Sequence, residues 1–420
     1  MASDTRTFLF LQGVCSPFNA RLASRLEHEG HRVIKLHFNA GDIVYWGRQG
    51  HHRHLFRGRL EALGDYVQTL WQRYGVTDQI VFGDRRPIHR TAVENAPRAG
   101  IRTHVFEEGY FRPFWVTLER EGVNGHSLLP RDPAWFRDAA SALPRPQAPR
   151  HFTSRFKVRA LHDVCYHLAG LANPLVAPHY RNHSSLTAPW EYAGYIRRFT
   201  WLRYRRVKDH NRIRSLLLSR RPFFILPLQL NTDAQIRDHS AYANMQEVIA
   251  ATLASFARHA PSDAVLCIKN HPLDQGLCGY ERLVNRLARE YDIAPRVVFL
   301  ESGDLNRITR HAAGTVTVNS TTGLVALGHG CPTIALGDPI YQLPGLTFQG
   351  SLDAFWRAPT PPSATLFACF RRTVMHATQI NGGFYNQPGI DLAVEGAAQR
   401  LTARTSPLEQ LGLTLPQGDT

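Results

Sequence analysis

Four short polar segments contain the residue types from which a group-transfer site can be built. They are Glu107-Glu108-Gly109, Lys269-Asn270-His271-Pro272, Asn319-Ser320-Thr321-Thr322-Gly323, and residues 229–235 with Gln229 and Asp233. Carboxylates in these segments could act as general acid, general base or nucleophile, and a histidine could transfer a proton. Hydroxyl and cationic groups could bind an anion, so the set indicates chemistry on a negatively charged substrate.

The two glutamates end the apolar run IRTHVF, which is typical of a buried strand. Successive strand side chains point to opposite faces, so one carboxylate can reach a substrate while the other anchors the loop. A helix cap or an ion pair with an arginine such as Arg112 would account for them without chemistry. The buried character of the run favours a functional role, but the alternation does not decide between Glu107 and Glu108.

The segment Lys269–Pro272 follows the apolar run AVLCI. Pro272 ends the strand and fixes the local turn, so His271 projects from a rigid position. A histidine there could donate a hydrogen bond to a phosphate or protonate a leaving group, and Lys269 adds positive charge. A capping histidine is the alternative.

The segment Asn319–Gly323 lies between a strand-like run and a helix-like run. Backbone N–H groups at a helix start, with the hydroxyls of Ser320, Thr321 and Thr322, could form an anion site. Ser and Thr are also the preferred caps of ordinary helices. Asp233 lies just beyond another strand and could be a nucleophile, a base or a cap.

Alternating strands and helices must position these segments. The pattern predicts strands near 6–14, 31–38, 78–84 and 101–108, and again near 222–230, 264–272, 296–302, 314–320 and 332–338. Such alternation predicts an α/β fold with two Rossmann-like lobes of parallel strands and a cleft between them. We expect lobes at 1–120 and 221–345, a helical insertion or connection at 121–220, and C-terminal helices and a tail at 346–420 that pack back on the lobes.

Composition limits the partners. Lys plus Arg number 49 against 34 for Asp plus Glu, a net charge of +15, which favours nucleic acid, nucleotide phosphates or an acidic membrane face. No nucleic-acid motif occurs, nor do GxxxxGK[ST], GxGxxG, GxSxG or HExxH patterns. No apolar run is long enough to span a bilayer, so membrane contact would be peripheral, through basic and aromatic segments such as 110–115 and 197–206.

Six cysteines are scattered without a Cys-x-x-Cys spacing. We expect reduced core thiols in a cytoplasmic protein and no zinc site. The histidine-rich segment GHHRH at 50–54 contains an arginine and has another nearby, and nearby cations oppose metal binding.

Taken together, the segments resemble the bacterial capsule-biosynthesis proteins of the Kdo-transferase type, once described as capsular polysaccharide export proteins. The resemblance covers about residues 7–345 and follows the family's order and spacing. It rests on FLFLQGVCSPFNARLASRLEHEGHRVIKLHFNAGD, FEEGYFRPFWVTLEREGVNG, PLQLNTDAQI, KNHP and NSTTG. The paired carboxylates with Gly, the His-Pro pair and the Ser/Thr pair also resemble motifs of bacterial sialyltransferases, which use CMP-sugars on a GT-B fold.

The resemblance implies a retaining β-Kdo transferase that uses CMP-Kdo and a (lyso)phosphatidylglycerol-type lipid acceptor. The product would start the poly-Kdo linker of a capsular polysaccharide for export. It implies no cofactor, no metal and no nucleic acid, a cytoplasmic protein peripheral on the inner face of the inner membrane, and contacts with other capsule assembly or export proteins. A non-catalytic assembly or export scaffold, or a transferase of another CMP- or UDP-sugar, are the alternatives.

The same resemblance implies residue roles. His271 would contact the CMP phosphate and assist its departure, and Ser320, Thr321 and Thr322 would hold that phosphate or the cytidine. Glu108, with Glu107 as alternative, would be the acid/base toward the acceptor, which the aromatic run after Gly109 would line. Asp233 would be the nucleophile that retention requires, whereas inversion needs only a base. Further substrate-binding residues are expected at Gly13, Gly109, Arg112, Gln229, Lys269, Pro272, Asn319 and Gly323.

Overall fold

A computed structural model describes most of the chain. The described residues are 5–47, 52–146, 148–181, 204–230, 240–274, 276 and 278–413. They form two compact units. Unit 1 takes its described residues from Met1–Leu129, Ala142–His183 and Arg372–Thr420, and unit 2 from Pro130–Ser141 and Ser184–Arg371. The chain therefore passes from unit 1 to unit 2 and back twice, which differs from the four consecutive segments expected from sequence.

The described residues contain twelve strands. In chain order they are β1 (Thr7–Phe10), β2 (Arg32–His37), β3 (His52–Leu55), β4 (Asp78–Phe82), β5 (Arg102–Glu108), β6 (Trp115–Arg120), β7 (Phe223–Pro227), β8 (Val265–Lys269), β9 (Val297–Leu300), β10 (Gly314–Thr317), β11 (Thr333–Ala335) and β12 (Gln379–Asn381). All nine strands expected from sequence are present, each shorter than the apolar run that predicted it.

The described helices surround these strands. They are α1 (Phe18–His28), α2 (Ala40–Trp46), α3 (Leu63–Tyr74), α4 (Pro87–Asn95), α5 (Pro133–Ala142), α6 (Phe156–Ala169), α7 (Asn173–Val176), α8 (residues 204–218), α9 (Met245–His259), α10 (Tyr280–Glu290), α11 (Leu305–Thr309), α12 (Thr321–Gly328), α13 (Leu352–Phe355), α14 (Ala364–Thr378), α15 (Gly389–Thr402) and α16 (Pro407–Gln410). No helix among the described residues is long and apolar enough to cross a membrane.

Unit 1 contains a seven-stranded sheet in the order β12-β6-β5-β4-β1-β2-β3. The five strands from β5 to β3 are parallel, and β6 and β12 are antiparallel additions at one edge. Alternation along β5 places Phe106 in the core on one face, with Phe8 and Phe18, and Val105 in the core on the other. The sheet is therefore covered on both faces, as expected for a parallel α/β unit.

Unit 2 contains a five-stranded parallel sheet in the order β11-β10-β7-β8-β9. Its strands β7 and β8 are buried along their whole length, which accounts for their continuous apolar sequences. The helix α9 begins where the side chain of Asn244 accepts a hydrogen bond from the N–H of Glu247. The α/β prediction of two Rossmann-like lobes is confirmed, and these are the units that GT-B folds combine.

Strand order reverses once in each parallel sheet. The reversal falls between β1 and β4 in unit 1 and between β7 and β10 in unit 2. In open α/β sheets, ligands bind beyond the carboxyl ends of the strands at such a reversal. The four polar segments follow β5, β7, β8 and β10, so each begins at the carboxyl end of a strand.

The cysteine expectation is partly wrong. All six cysteines are free thiols, and Cys267 and Cys331 are buried. Cys165, however, is exposed on α6. The sequence neighbours Leu161 and Leu168 are exposed as well, so this apolar stretch does not belong to a core.

Candidate active site

The hairpin of β5 and β6 presents the two glutamates. Glu107 lies opposite Thr117 and Glu108 opposite Val116 in the antiparallel register. A Cβ atom at Gly109 would lie 2.0 Å from the main-chain oxygen of Trp115. Gly109 is therefore required for the turn to close, which gives a packing reason for a glycine that was expected to bind substrate.

The aromatic run after Gly109 differs from the expected substrate-lining surface. Tyr110 is 4% exposed, and its hydroxyl donates to Glu119 Oε1 at 2.6 Å while its N–H donates to Gln379 Oε1 at 2.9 Å. Burial and the charge of Glu119 raise the pKa of Tyr110. Tyr110 is thus a core residue that ties the hairpin to β12. Arg112 and Pro113 form the exposed tip.

Arg112 does not pair with the glutamates in the way the sequence suggested. Its Nε donates to the main-chain oxygen of Gly109 at 3.2 Å. The arginine beside the pair is instead Arg159 of α6, whose guanidinium lies 3.2 Å from Glu108 Oε1. This ion pair ties α6 to the end of β5.

The two glutamates have different surroundings. Glu107 Oε1 accepts the N–H of Glu108 at 3.0 Å. Its other oxygen lies beside Gly83, just beyond β4, where a Cβ atom added to the glycine would be 3.4 Å away. Glu108 shares a face of the sheet with Phe106, and its side chain is 23% exposed beside Arg159. Glu107 thus holds the main chain at the end of β5, whereas Glu108 is held by an ion pair with Arg159.

Tyr385 completes this group, which we call the carboxylate cluster (Glu107, Glu108, Arg159 and Tyr385). The guanidinium of Arg159 lies 4.7 Å from the centre of the Tyr385 ring. Burial and the charge of Glu108 raise the pKa of Tyr385, so its hydroxyl stays protonated. Nearby Cys15 is no nucleophile, because burial and the charge of Asp163 raise its pKa to about 11.

Gly13 lies just beyond β1, at the reversal in unit 1. A Cβ atom there would lie 2.2 Å from the side-chain amide nitrogen of Asn19. Gly83, just beyond β4, adopts a positive φ of 72°. The next residue, Asp84, is buried and lies 3.0 Å from His126 Nδ1. The two glycines let the strand ends approach other groups closely, which is a packing reason for Gly13.

In unit 2, Gln229 and Asn319 join the ends of β7 and β10. The amide nitrogen of Gln229 donates to Asn319 Oδ1 at 2.9 Å, and Asn319 N–H donates to Gln229 Oε1 at 3.2 Å. Both residues are buried. Two reciprocal bonds at the strand reversal fix these ends relative to each other.

Asn270 is a buried hub beyond β8. Its amide nitrogen donates to Asp274 Oδ2 at 3.1 Å and to Glu301 Oε2 at 2.9 Å. Its oxygen accepts the N–H of His271 at 2.8 Å. Glu301 is held in turn because its N–H donates to Asp209 of α8 at 3.1 Å. The backbone at His271 is therefore fixed by a chain of hydrogen bonds that reaches from the end of β8 past the end of β9 to a helix.

His271 is half-buried, and its Nδ1 accepts the N–H of Leu273 at 3.1 Å. An accepting Nδ1 carries no proton, so the neutral ring carries its proton on Nε2. Lys269 is 6% exposed and its ammonium donates to the main-chain oxygen of Asn270 at 3.3 Å. Pro272 is exposed at the turn. This segment provides an oriented N–H donor next to a positive charge.

Ser320 is the N-cap of α12. Its Oγ accepts the N–H of Thr322 at 3.1 Å and lies 3.1 Å from Thr322 Oγ1. Tyr341 is buried, and its hydroxyl donates to the main-chain oxygen of Ser320 at 2.6 Å. A Cβ at Gly323 would lie 2.3 Å from that hydroxyl oxygen. The cap therefore accounts for Ser320, and the close approach of Tyr341 accounts for Gly323, whereas Thr321 is half-buried beside them.

The polar segments of unit 2 form one row, which we call the anion row (Gln229, Lys269, His271, Asn319 and Thr321). Because β7 lies between β10 and β8, and neighbouring strands are about 4.8 Å apart, the row spans about 10 Å. Asp233 lies outside the described residues, so its proposed role as nucleophile remains a sequence-based prediction.

Several residues of these groups were not found from sequence. Glu301 could have been found, because it follows β9, the neighbour of β8, and a carboxylate at that strand end must lie near Asn270. Arg159, Tyr341 and Tyr385 carried none, since they come from distant segments. No group of three or more His, Cys, Asp or Glu side chains in the described part of the chain is arranged to hold a metal ion.

Two units with polar groups at the carboxyl ends of their parallel strands define the class of open α/β proteins, in which ligands bind at those strand ends. A family model described as capsule polysaccharide biosynthesis protein matches residues 77–385. This chain belongs to that family, which confirms the resemblance noted from its motifs.

Two curated relatives cover nearly the whole chain. The capsule polysaccharide modification protein LipB of Neisseria meningitidis serogroup B is 34% identical over 397 residues, 92% of this chain and 93% of the relative. The capsule polysaccharide export protein KpsS of Escherichia coli is 35% identical over 382 residues, 90% of this chain and 97% of the relative. A solved structure of KpsC from Thermosulfurimonas dismutans, named a beta Kdo 2,7 transferase, aligns with 94% of this chain and 99% of its own at 15% identity and a TM-score of 0.44.

Proposed function

We propose that this chain is a glycosyltransferase that moves Kdo from CMP-Kdo to a (lyso)phosphatidylglycerol-type lipid and so starts the poly-Kdo linker of a capsular polysaccharide. Membership of the capsule polysaccharide biosynthesis family supports the pathway. The observation that carries the reaction type is the oriented Nε2–H of His271, held at a strand end by Asn270 and Leu273.

The anion row suits a CMP leaving group. Departure of CMP leaves negative charge on its phosphate, and hydrogen-bond donors already in place stabilise that charge without rearrangement. His271 donates from Nε2 or, when protonated, gives its proton to the leaving phosphate. Lys269 supplies positive charge. The N-terminus of α12, which carries the positive end of the helix dipole, lies at the same end of the sheet. Kdo is itself a carboxylate, so a cationic site favours both parts of the donor.

The carboxylate cluster suits activation of an acceptor hydroxyl. The guanidinium of Arg159 lies 3.2 Å from Glu108 and orients this carboxylate, for which we propose the role of base toward the acceptor hydroxyl. Glu107 accepts the N–H of Glu108 and so fixes the end of β5. An inverting enzyme would need only this base, whereas retention requires a nucleophile, for which we propose Asp233.

The test combines purified protein, CMP-Kdo and a lysophosphatidylglycerol analogue, with product mass as readout. We expect addition of one Kdo. Glu108→Gln and His271→Asn should each lower kcat by about 10²- to 10⁴-fold, the usual contribution of a general acid or base. Matched controls are Glu94→Gln, which removes an exposed carboxylate paired with Arg90, and His311→Asn, which removes an exposed histidine.

Each outcome separates the alternatives. Absence of both Kdo addition and CMP binding would contradict the proposed donor, and absence of product with any CMP- or UDP-sugar would favour a scaffold. Full activity of both site variants would overturn the residue assignment while leaving the transferase in place. A Kdo adduct on Asp233, trapped without acceptor and lost in Asp233→Asn, would establish retention.

A further inference from the structure

Arg86 is a half-buried cation at the strand reversal of unit 1. It lies just beyond β4, and its guanidinium stacks 4.8 Å from the centre of the Phe82 ring. Among the residues that the structure describes, this guanidinium has no hydrogen bond and no ion pair. The neighbouring Arg85, in contrast, pairs with Glu94 at 3.1 Å. Stacking thus orients the Arg86 side chain and leaves its N–H donors available to a ligand.

The sequence places Arg86 where local preferences disfavour a cation. Arg86 is the N-cap of α4, a position that Ser, Thr, Asp and Asn favour, and no side chain of the described residues caps this helix. The positive end of the helix dipole lies at the same point, so a guanidinium there is unfavourable for stability. A bound anion would offset both positive charges. Departures from a local rule are expected at functional sites, which favours a role in binding for Arg86.

Arg86 lies beside the carboxylate cluster. Its Nε lies 3.7 Å, and Glu107 Oε2 lies 3.4 Å, from the position that a Cβ atom of Gly83 would take. Burial raises the pKa of Cys15, just beyond β1, and of Tyr385, and the positive charge of Arg86 opposes both increases. The ends of β1, β4 and β5 therefore bring Arg86 and the glutamate pair into one site.

The acceptor supplies an anion of the right kind, if the proposed function holds. A phosphoglycerol headgroup carries one negative phosphodiester, which a three-carbon chain joins to a terminal hydroxyl. A base for that hydroxyl and a cation for that phosphate must therefore lie close together. Arg159 is already paired with Glu108 at 3.2 Å, whereas Arg86 has no such partner in the described part of the chain. In the proposed reaction the anion row binds the donor phosphate, which leaves Arg86 for the acceptor.

We propose that Arg86 binds the phosphodiester of the acceptor headgroup beside the base Glu108, and so determines the preference for an anionic lipid acceptor. A guanidinium suits this role, because its planar donors match two phosphate oxygens at once. The inference rests on the proposed function for the identity of the acceptor, and it adds the residue that recognises the acceptor's charge.

Acceptor kinetics test the proposal, with product mass as readout. Arg86→Gln should raise the KM for lysophosphatidylglycerol about 10- to 100-fold, as expected when a hydrogen bond to a charged group is lost, and leave the KM for CMP-Kdo unchanged. Monoacylglycerol, which keeps the hydroxyls and lacks the phosphate, should be an equally poor acceptor for wild type and Arg86→Gln. Arg86→Lys keeps the charge and should recover part of the affinity. The matched control is Arg90→Gln, which removes an exposed arginine of α4 paired with Glu94 at 2.9 Å and should behave like wild type.

Direct binding separates this proposal from the proposed reaction. Glycerophosphoglycerol, the headgroup without acyl chains, is titrated into the full chain by calorimetry in the absence of donor. We expect binding to wild type and at least about tenfold weaker binding to Arg86→Gln. That difference without any Kdo transfer would support Arg86 and contradict the proposed reaction. An unchanged acceptor KM in an active Arg86→Gln enzyme, a raised KM for CMP-Kdo alone, or headgroup binding that is absent or equal in wild type and variant would each overturn the role of Arg86.

Discussion

A buried histidine makes unit 1 sensitive to mild acid. His37 ends β2, is 4% exposed, and its Nδ1 has no hydrogen-bond partner among the described residues. Burial, then the positive charges of Lys35 and Arg53, lower its pKa to about 3. We predict that His37→Phe makes the free energy of unfolding less dependent on pH between pH 7 and pH 5.

The magnitude follows from proton linkage. The unfolded chain binds a proton at His37 with an ordinary pKa of 6.5, while the folded chain excludes it down to about pH 3. Stability from this group is therefore present above pH 6.5 and is lost as pH falls toward 3. Over about 1.5 pH units, from pH 6.5 to pH 5, the unfolded chain holds a proton at His37 that the folded chain lacks. Each of these units lowers the free energy of unfolding by about 1.36 kcal/mol, so the loss between pH 7 and pH 5 is about 2 kcal/mol.

Urea unfolding followed by circular dichroism at the two pH values measures this loss. The wild-type difference contains His37 and also His104, whose pKa burial likewise lowers. We expect His37→Phe to reduce the difference by about 2 kcal/mol, whatever its effect at pH 7. The exposed His179→Phe is the control and should leave the difference unchanged. An equal pH dependence in His37→Phe and wild type would refute the reasoning.

Two further substitutions test the site framework. Gly109→Ala places a methyl group 2.0 Å from the main-chain oxygen of Trp115, so we expect a loss of about 3 kcal/mol in urea unfolding, and unchanged stability would show that the turn can relax. Asn270→Leu removes donors to two buried carboxylates and the acceptor of His271 N–H, so we expect a loss of about 2–4 kcal/mol and weaker CMP binding by calorimetry. An unaltered affinity of Asn270→Leu for CMP would show that the hydrogen bonds of Asn270 do not position the anion row for CMP binding.

Nine of the ten parallel strands among the described residues could be predicted because they are apolar runs buried in the sheets, whereas β3, with the polar sequence HRHL at a partly exposed sheet edge, was not predicted. Continuous apolar runs such as those of β7 and β8 are typical of strands covered by helices on each side of a parallel sheet. The antiparallel strands β6 and β12 were not predicted. β6 follows an aromatic turn that resembled a substrate-lining surface, and β12 is three residues long and far away in sequence.

The candidate site was predictable as a set of strand ends but not as a set of contacts. Strand periodicity indicated that Glu107 and Glu108 diverge, and it could not indicate that Arg159 would pair with Glu108. Glu108 lies in β5 and Arg159 in α6, so only the folded chain brings the two residues together. Likewise, Ser320 was recognised as either cap or ligand, and only the folded chain shows its Oγ receiving the N–H of Thr322.

The path of the chain sets an order for biosynthesis. Tyr110 and Gln379, whose hydrogen bond closes the hairpin onto β12, are 269 residues apart. At about 5–20 residues per second, the ribosome delivers Gln379 about 15–50 s after Tyr110. Until then β6 remains an unprotected edge, open to pairing with other strands. Unit 2 is therefore fully synthesised before unit 1 can close, and the carboxylates of the hairpin reach their final setting late in translation.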